Sequence, residues 1–423
     1  MTLLFASSSI AEYLQSKLPS EAWALVIAAL IHAVLIIHFF AVAPLFYIWL
    51  ERKVAGRIQD RLGPTRVGGK FGWLQTLADG VKLIQKEDLR PQAADSLLFR
   101  ASPYLVFAAS FAAFIVLPWS DGWVAQNLDA GVFFMLAVMS LEVIGVILAG
   151  YSSGSKWSLF GGMREAAQVV SYEIPMAICA LVPVTALGTL NMVDISRMQS
   201  GLLSNWMIFH DPFSFLAFFV YFTVATASVK RAPFDLAEAE SELVAGFHTE
   251  YSGIRWSYFF MAEYASMFAV SGIATALFLG GWSTGIGIEQ AILDPLRGKG
   301  VIEGLGGFSV GNYIANLFGC FVFITKGCLL VFVQMWVRWT LPRLRIDQVM
   351  TTCLKYLLPI SCFLFLGVAL WPVVLFQFTG RTTALPGSVP LGEKAYRKVE
   401  HPPQQGEPVR VGMNDSEREG VHP

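Results

Sequence analysis

The chain has 423 residues and a formal net charge of −1, with 55% hydrophobic and only 14% charged residues, whereas soluble domains carry about 25% charged residues. Its mean hydropathy is +0.56, and the near-neutral charge offers no electrostatic footprint for nucleic acid. Several nearly uncharged apolar runs are each long enough to cross a hydrocarbon core of about 30 Å, which makes this an all-α, polytopic membrane helix bundle; a transmembrane barrel would need short alternating strands instead.

In chain order, segment 1–21 has no basic stretch ahead of its first apolar run, so no cleaved signal is expected. The membrane domain, 22–378, begins with a span over 22–50, the first of about eight. Loop 51–98 follows and is strongly basic, with Arg52, Lys53, Arg57, Arg61, Arg66, Lys70, Lys82, Lys86 and Arg90. Within it, 71–87 places Trp73, Leu74, Leu77, Val81 and Ile84 at helical spacing with Asp79, Lys82 and Lys86 elsewhere. That pattern predicts an amphipathic helix lying on the membrane interface. Spans over 99–118, 131–150, 166–190 and 212–229 come next, then an acidic loop, 230–255. Further spans cover 256–280, 311–337 and 354–378, and the polar, Pro-rich stretch 379–423 reads as a disordered tail.

Loop charge orients the bundle. Loops 51–98 and 338–353 are basic and 151–165 and 230–255 also hold Lys or Arg, while 119–130 has none and 191–211 has only Arg197. The positive-inside rule puts the basic loops in the cytoplasm and both termini outside. Loop 281–310 fits that scheme least well.

Cys179, Cys320, Cys328, Cys353 and Cys362 form no C-x-x-C pair, and the six His add no ligand spacing. A cluster or zinc ion on this chain alone is not expected. No G-x-G-x-x-G or P-loop lysine motif marks a nucleotide site, so any redox chemistry belongs to a partner.

Acids carry the functional signal. Glu142, Glu173 and Glu263 fall inside predicted spans, each about eight residues, or roughly 12 Å, from the cytoplasmic end. Such acids usually face the bundle interior or a water-filled cavity, where burial disfavours the ionised form and brings proton exchange near neutral pH within reach. Loop 230–255 adds Asp235, Glu238, Glu240, Glu242 and Glu250. Pro233 suits a first helical turn and Asp235 there complements the helix dipole. A helix from Pro233 to Val244 would align Asp235, Glu238 and Glu242 on one face, with Glu240 pointing elsewhere. The alternatives for this face are a solvated cytoplasmic surface and a partly buried proton-holding one.

The motifs "ERKVAGRIQDRLGPTRVGGKFGWLQTLADGVKLIQKED" (51–88), "SLFGGMREAAQVVSYE" (158–173), "RAPFDLAEAESELVAGFHTEYSG" (231–253), "FFMAEY" (259–264) and "RIDQVM" (345–350) occur in order. Together they resemble the H subunit family of respiratory complex I, known in mitochondria as subunit one, over roughly residues 22–378. The resemblance implies a membrane subunit, without a redox centre of its own, of a proton-translocating NADH:quinone oxidoreductase. It would join the peripheral arm to the membrane arm and help form the quinone chamber. Quinone would be the substrate, flavin and iron–sulfur clusters would lie on peripheral-arm partners, and small membrane subunits and antiporter-like subunits would be its neighbours in the bilayer. By matching position, Glu51, Arg52 and Arg61 would lie near the chamber and its entrance, Asp79 and Glu87 match acids linked to quinone reduction and coupling, and Arg231, Phe234 and Asp235 belong to its inner loop. Glu173, Glu238, Glu240 and Glu250 match an acidic path toward the membrane arm, and the depth argument and the shared face add Glu142, Glu263 and Glu242.

Two departures stand out: Thr65 where the family usually has Asn, and Glu165, an unusual acid for its position. A relative fed by ferredoxin, reduced deazaflavin or hydrogen would carry the same subunit, because the electron-input module lies elsewhere. A free-standing ion transporter would explain the buried acids but neither the long basic loop nor the missing internal repeat.

Overall fold

The computed structural model describes residues 21–121, 123–236, 243–287, 301–302 and 308–379. The N-terminal segment up to residue 20, Glu238, Glu240 and Glu242, and the expected tail from 380 lie outside the described residues.

Helix α1, Glu21–Ile58, runs unbroken past the predicted end at residue 50 and carries the charged "ERKVAGRI" as its last turns. Asp60, at φ 55°, and the bond from Arg61 N to the carbonyl of Gly56 (2.7 Å) end it. After glycine-rich turns comes α2, Gln75–Gln85; Trp73 and Leu74 precede it rather than belonging to it. Helix α3, Ser96–Ala113, is capped by Asp95, whose carboxylate accepts from Leu97 N and Leu98 N. Helix α4 spans Gly131–Ser152 and α5 spans Lys156–Leu187, ending on Gly188 in the left-handed region. Helix α5 therefore starts ten residues before the predicted span. What reads as a charged cytoplasmic loop is helical because Glu165 is buried and paired.

Short α6, Met192–Met198, and α7, Met207–His210, precede α8, Pro212–Ser228, which has Pro at its start and Asp211 as N-cap. Helices α9, Gly253–Phe278, and α10, Val310–Thr340, follow. Helix α11, Ile346–Thr351, passes through a π-helical turn, Thr352–Leu357, into α12, Leu358–Thr379. Two two-residue strands, Val301–Ile302 and Phe308–Ser309, pair antiparallel just before α10. Among the described residues seven helices are long and apolar enough to cross a membrane, and α8 is a shorter apolar eighth.

Helix α9 is the axis of the bundle. Of its most apolar window 89% is buried, against 17% for the segment formed by α11 and α12, so α9 is walled by the rest of the chain and the last span is not. It packs on α1, α3, α8 and α10, while α4 and α5 close the layer on α3 and α12 lies against α5 and α8. The core at one end is aromatic, with Phe114 and Phe268 near parallel at 6.1 Å and Trp119 stacked on Phe268 at 5.8 Å.

The predicted helix from Pro233 to Val244 does not begin at Pro233. Residues 231–236 form tight turns, with Phe234 N bonding the carbonyl of Arg231 (2.9 Å) and Leu236 N that of Phe234 (3.0 Å). Packing overrides the dipole argument here, because Phe234 is buried against Tyr172, ring to ring at 5.5 Å.

Small residues let backbones meet in the absence of a hydrophobic drive between helices in lipid. A Cβ on Gly161 of α5 would sit 2.7 Å from Phe247 N and 2.8 Å from the carbonyl carbon of Gly246. Gly161→Val should therefore push the 246–248 turn off α5 and lower the thermal midpoint of the detergent-extracted protein. Gly80→Ala in α2, where a Cβ meets nothing within 4 Å, should raise or preserve it, since Ala favours a helix by about 1 kcal/mol over Gly.

Candidate functional site

The site starts from the turn just after α8. Lys230 has φ 59°, a left-handed conformation that costs a non-glycine residue roughly 1–2 kcal/mol. Lys230 N and Arg231 N still bond back to Ala227 O (3.2 Å) and Thr226 O (3.3 Å). Lys230 and Arg231, adjacent in sequence and both buried, thus reach two different groups of acids.

Arg231 enters the first. Its Nη1 is 3.3 Å from both oxygens of Glu51, its Nε is 2.8 Å from Glu263 Oε1, and its guanidinium lies 4.3 Å above the Tyr264 ring. Glu51 also accepts from Arg338 Nη1 at 2.6 Å and from the Tyr264 hydroxyl. Burial works against the cation, but Glu263 and Glu51 outweigh it and hold Arg231 well above the usual arginine range.

Lys230 enters the second. Its ammonium is 2.9 Å from Glu142 Oε1 and pairs with Glu165, which has no exposed surface. Glu142 Oε2 accepts from Ser266 Oγ (2.8 Å) and Ser110 Oγ (3.3 Å), and the two hydroxyls are 3.1 Å apart. Burial opposes this charge too, yet Glu142 and Glu165 raise the Lys230 pKa above the ordinary lysine value. His248, held at the turn on α5, is pushed down to about 4 by burial and by Lys230.

Above the first group lies a cavity of about 580 Å³. Glu51, Tyr264 and Arg338 form its charged floor, Arg52 and Arg61 its polar wall, and Ile48, Phe260 and Trp339 its apolar side. The turn at 62–64 completes it, held by Lys53 Nζ on the carbonyl of Pro64 (2.5 Å). Arg52 pairs with Asp79 at 2.5 Å, and Gln75 donates to the same carboxylate at 3.3 Å. The loop is anchored at its far end by Asp88 on Arg255 (2.8 Å). There Gly253, at φ +60°, opens α9 under the carbonyls of Lys86 and Leu83, which a Cβ would meet at 3.1 and 3.4 Å.

Of the residues expected from sequence, Glu51, Arg52 and Arg61 line the cavity, Asp79 and Arg231 pair directly with lining residues, and Glu263 is reached through Arg231. Glu142 belongs to the neighbouring group. Phe234 packs behind the site, and Asp235 is an electrostatic neighbour of both Glu165 and Glu263. Glu87 is exposed, with only its carbonyl engaged, by Ser252 Oγ at 3.2 Å. Glu250 is half-buried outside both groups. Glu173 is half-buried with Glu142 as charged neighbour. Glu142 and Glu263 each lie about 15 Å along their helices from Ser152 and Gly253, and Glu173 lies about 25 Å from Lys156. Sequence reasoning missed Lys230, Tyr264 and Arg338, and noted Glu165 without a role. The signal for Lys230 was two consecutive cations ending an apolar run. Among the described residues no group of three or more His, Cys, Asp or Glu could hold a metal ion.

The fold and site define a polytopic membrane protein with a cavity of small-molecule size over a buried, ion-paired floor. A family model described as NADH dehydrogenase matches residues 31–369. The NADH-quinone oxidoreductase H subunit of Chlorobium luteolum is 45% identical over 338 residues, 79% of this chain and 87% of the relative. Its counterpart in Anaeromyxobacter dehalogenans is 42% identical over 353 residues, 84% and 83% of the two chains, and that of Bacteroides thetaiotaomicron 41% over 355 residues, 83% and 92%. The chain belongs to this NADH dehydrogenase family of membrane H subunits.

Two outcomes follow from the geometry. Arg231→Met leaves Glu51 and Glu263 without their shared cation; breaking a buried pair typically costs about 3–5 kcal/mol, so the membrane-extracted variant should melt far below the wild type. His248 is neutral when folded, whereas the unfolded side chain takes up a proton below about 6.5. Its contribution is complete above pH 6.5 and is lost as pH falls toward about 4. Thermal midpoints measured across that window should fall less steeply for His248→Gln.

Proposed function

We propose that this chain is the membrane subunit of a proton-translocating NADH:quinone oxidoreductase that forms part of the quinone chamber and couples quinone reduction to proton movement. The observation that carries the reading is the cavity of about 580 Å³ bounded by Glu51, Arg52 and Arg61, all three from the first of the ordered family motifs. Its volume lies in the range of small-molecule sites, about 300–1,000 Å³. Its apolar side suits a hydrophobic ring and tail, and its cationic wall suits carbonyl oxygens that gain charge during reduction.

Quinone takes two electrons and two protons to become quinol. The electrons come from an iron–sulfur cluster on a peripheral-arm partner, fed by flavin there. This chain supplies binding, orientation and charge. When charge appears above the floor, the balance of Glu51 between Arg231 and Arg338 changes, and Arg231 passes that change to Glu263. The acids of the 230–255 loop then carry it toward antiporter-like and small membrane subunits. In this arrangement the basic loops face the cytoplasm and both termini lie on the outer side of the cell inner membrane. The exposed apolar residues of the loop before and within α2, among them Phe71, Trp73, Leu77 and Ile84, meet lipid at the interface.

Asp79→Asn removes the anion that holds Arg52, and Glu238→Gln neutralises an acid of the coupling loop. Both variants should cut quinone-coupled turnover and proton pumping of the assembled complex severalfold, while NADH oxidation by an artificial acceptor stays near normal. Wild-type turnover and pumping in both would defeat the coupling role. A nickel–iron centre instead of a flavin-containing NADH module among the copurified subunits would assign the chain to a hydrogen-linked relative.

A further inference from the structure

Glu165 and Lys230 have no part in the chamber described above, yet they lie beside it and are almost wholly buried. Around the ammonium, α4 presents Glu142, α5 presents Glu165 and the 246–248 turn presents His248, while Asp235 of the Lys230–Leu236 turn is a charged neighbour of Glu165. Glu173 of α5 is a charged neighbour of Glu142. Ser110 of α3 and Ser266 of α9 contribute hydroxyls on Glu142 Oε2. One cation thus faces two carboxylates in direct contact, leaving one negative charge uncompensated out of water; a single proton held between the two acids removes it.

The hydrogen bonds suit a proton that moves. Both acids contact the same ammonium, so a proton leaving one has a path to the other through a single nitrogen. The two serine hydroxyls can donate to Glu142 when it is ionised or accept when it is protonated. A void of about 10 Å³ lies between Glu142, Ser228, Lys230 and Ser266, the space of about one water molecule.

We propose that Glu142, Lys230 and Glu165 form a single-proton relay beside the chamber. In each transfer an N–H bond of Lys230 breaks first and its proton forms an O–H bond on Glu165, which leaves a neutral amine with a free lone pair. The Glu142 O–H bond then breaks and its proton forms a new N–H bond on that lone pair. Lys230 ends as the ammonium it began as, no electrons move, and the reverse transfer has the same balance. Arg231, the next residue, is fixed to Glu51 at the chamber floor, so a change there acts on the relay through one peptide unit. That driving force rests on the quinone-chamber reading; the relay itself does not.

Lys230→Arg tests it in the complex assembled in its own membrane. Arginine keeps the positive charge and both ion pairs, but a guanidinium does not give up a proton at accessible pH. The expected result is normal assembly with quinone-driven proton transport reduced about tenfold or more, the scale of a lost general acid–base group. Should the longer side chain prevent assembly, the charge-balanced double variant Lys230→Met with Glu165→Gln is expected to assemble and show the same loss. Wild-type transport in whichever of the two assembles overturns the relay. Infrared spectra of resting membranes give an independent readout. The wild type should show a buried, protonated carboxyl band, absent in Glu142→Gln and Glu165→Gln, and its persistence in both overturns the relay. If the wild-type complex itself fails to couple quinone reduction to proton transport, the chamber reading falls, while the infrared comparison still decides the relay.

Discussion

Two adjacent cations buried at the end of a short apolar helix dictate the arrangement of everything around them. Lys230 and Arg231 are 7% and 2% exposed, and neither charge survives at that depth without carboxylates in contact. Four helices supply them: α1 brings Glu51, α4 Glu142, α5 Glu165 and α9 Glu263. Helix α10 returns a second cation, Arg338, to share Glu51. This requirement explains why α1 and α5 extend beyond their most apolar stretches. Glu51 and Glu165 sit on those extensions, and helical backbone is the form in which a buried segment satisfies its own hydrogen bonds.

The two groups are held at a fixed spacing by α9. Glu263 pairs with Arg231, Tyr264 donates to Glu51, and Ser266 donates to Glu142. Three positions within one turn of the most buried helix therefore touch both groups. Two unit charges 4 Å apart interact by about 4 kcal/mol at an effective dielectric of 20, so a gain or loss of charge at Glu51 is large on the scale of a protonation equilibrium. The cavity opens on that carboxylate, and its contents are one contact from Arg231 and two from Glu263.

The membrane architecture was legible in the sequence because hydrophobic length is a direct record of bilayer thickness, and the predicted spans all coincide with helices. The boundaries were less so. Reading charge as a loop signal cut α5 ten residues short, since a buried Glu165 looks in sequence like a solvated one. The same limit hid the partner of Arg231: nothing local to Glu51, Tyr264 or Arg338 says that residues as far apart as 51 and 338 meet. Cavity residues Glu51, Arg52 and Arg61 were accessible because they share one motif on one helix end and its turn. Pro233 and Asp235 carry good helix-start chemistry, yet the burial of Phe234 and Arg231 holds residues 231–236 in turns.

A rigid helix and a turn-built loop divide the labour at this site. Helix α9 has little room to shift, being packed on α1, α2, α3, α6, α8 and α10, and its start is pinned by Gly253 under the carbonyls of Leu83 and Lys86 and by Arg255 on Asp88. The segment after α8 is different: its backbone passes through a left-handed residue at Lys230 and successive tight turns, and it is fastened to the rest of the chain by its ion pairs, by the burial of Phe234 against Tyr172, and by Leu344 N on the carbonyl of Pro233 (3.0 Å). Its two cations reach acids carried on four different helices, Glu51 and Glu263 for Arg231 and Glu142 and Glu165 for Lys230. Adjustment of that loop changes the distances from Arg231 to Glu51 and Glu263 and from Lys230 to Glu142 and Glu165 together, because the two cations are neighbours on one backbone.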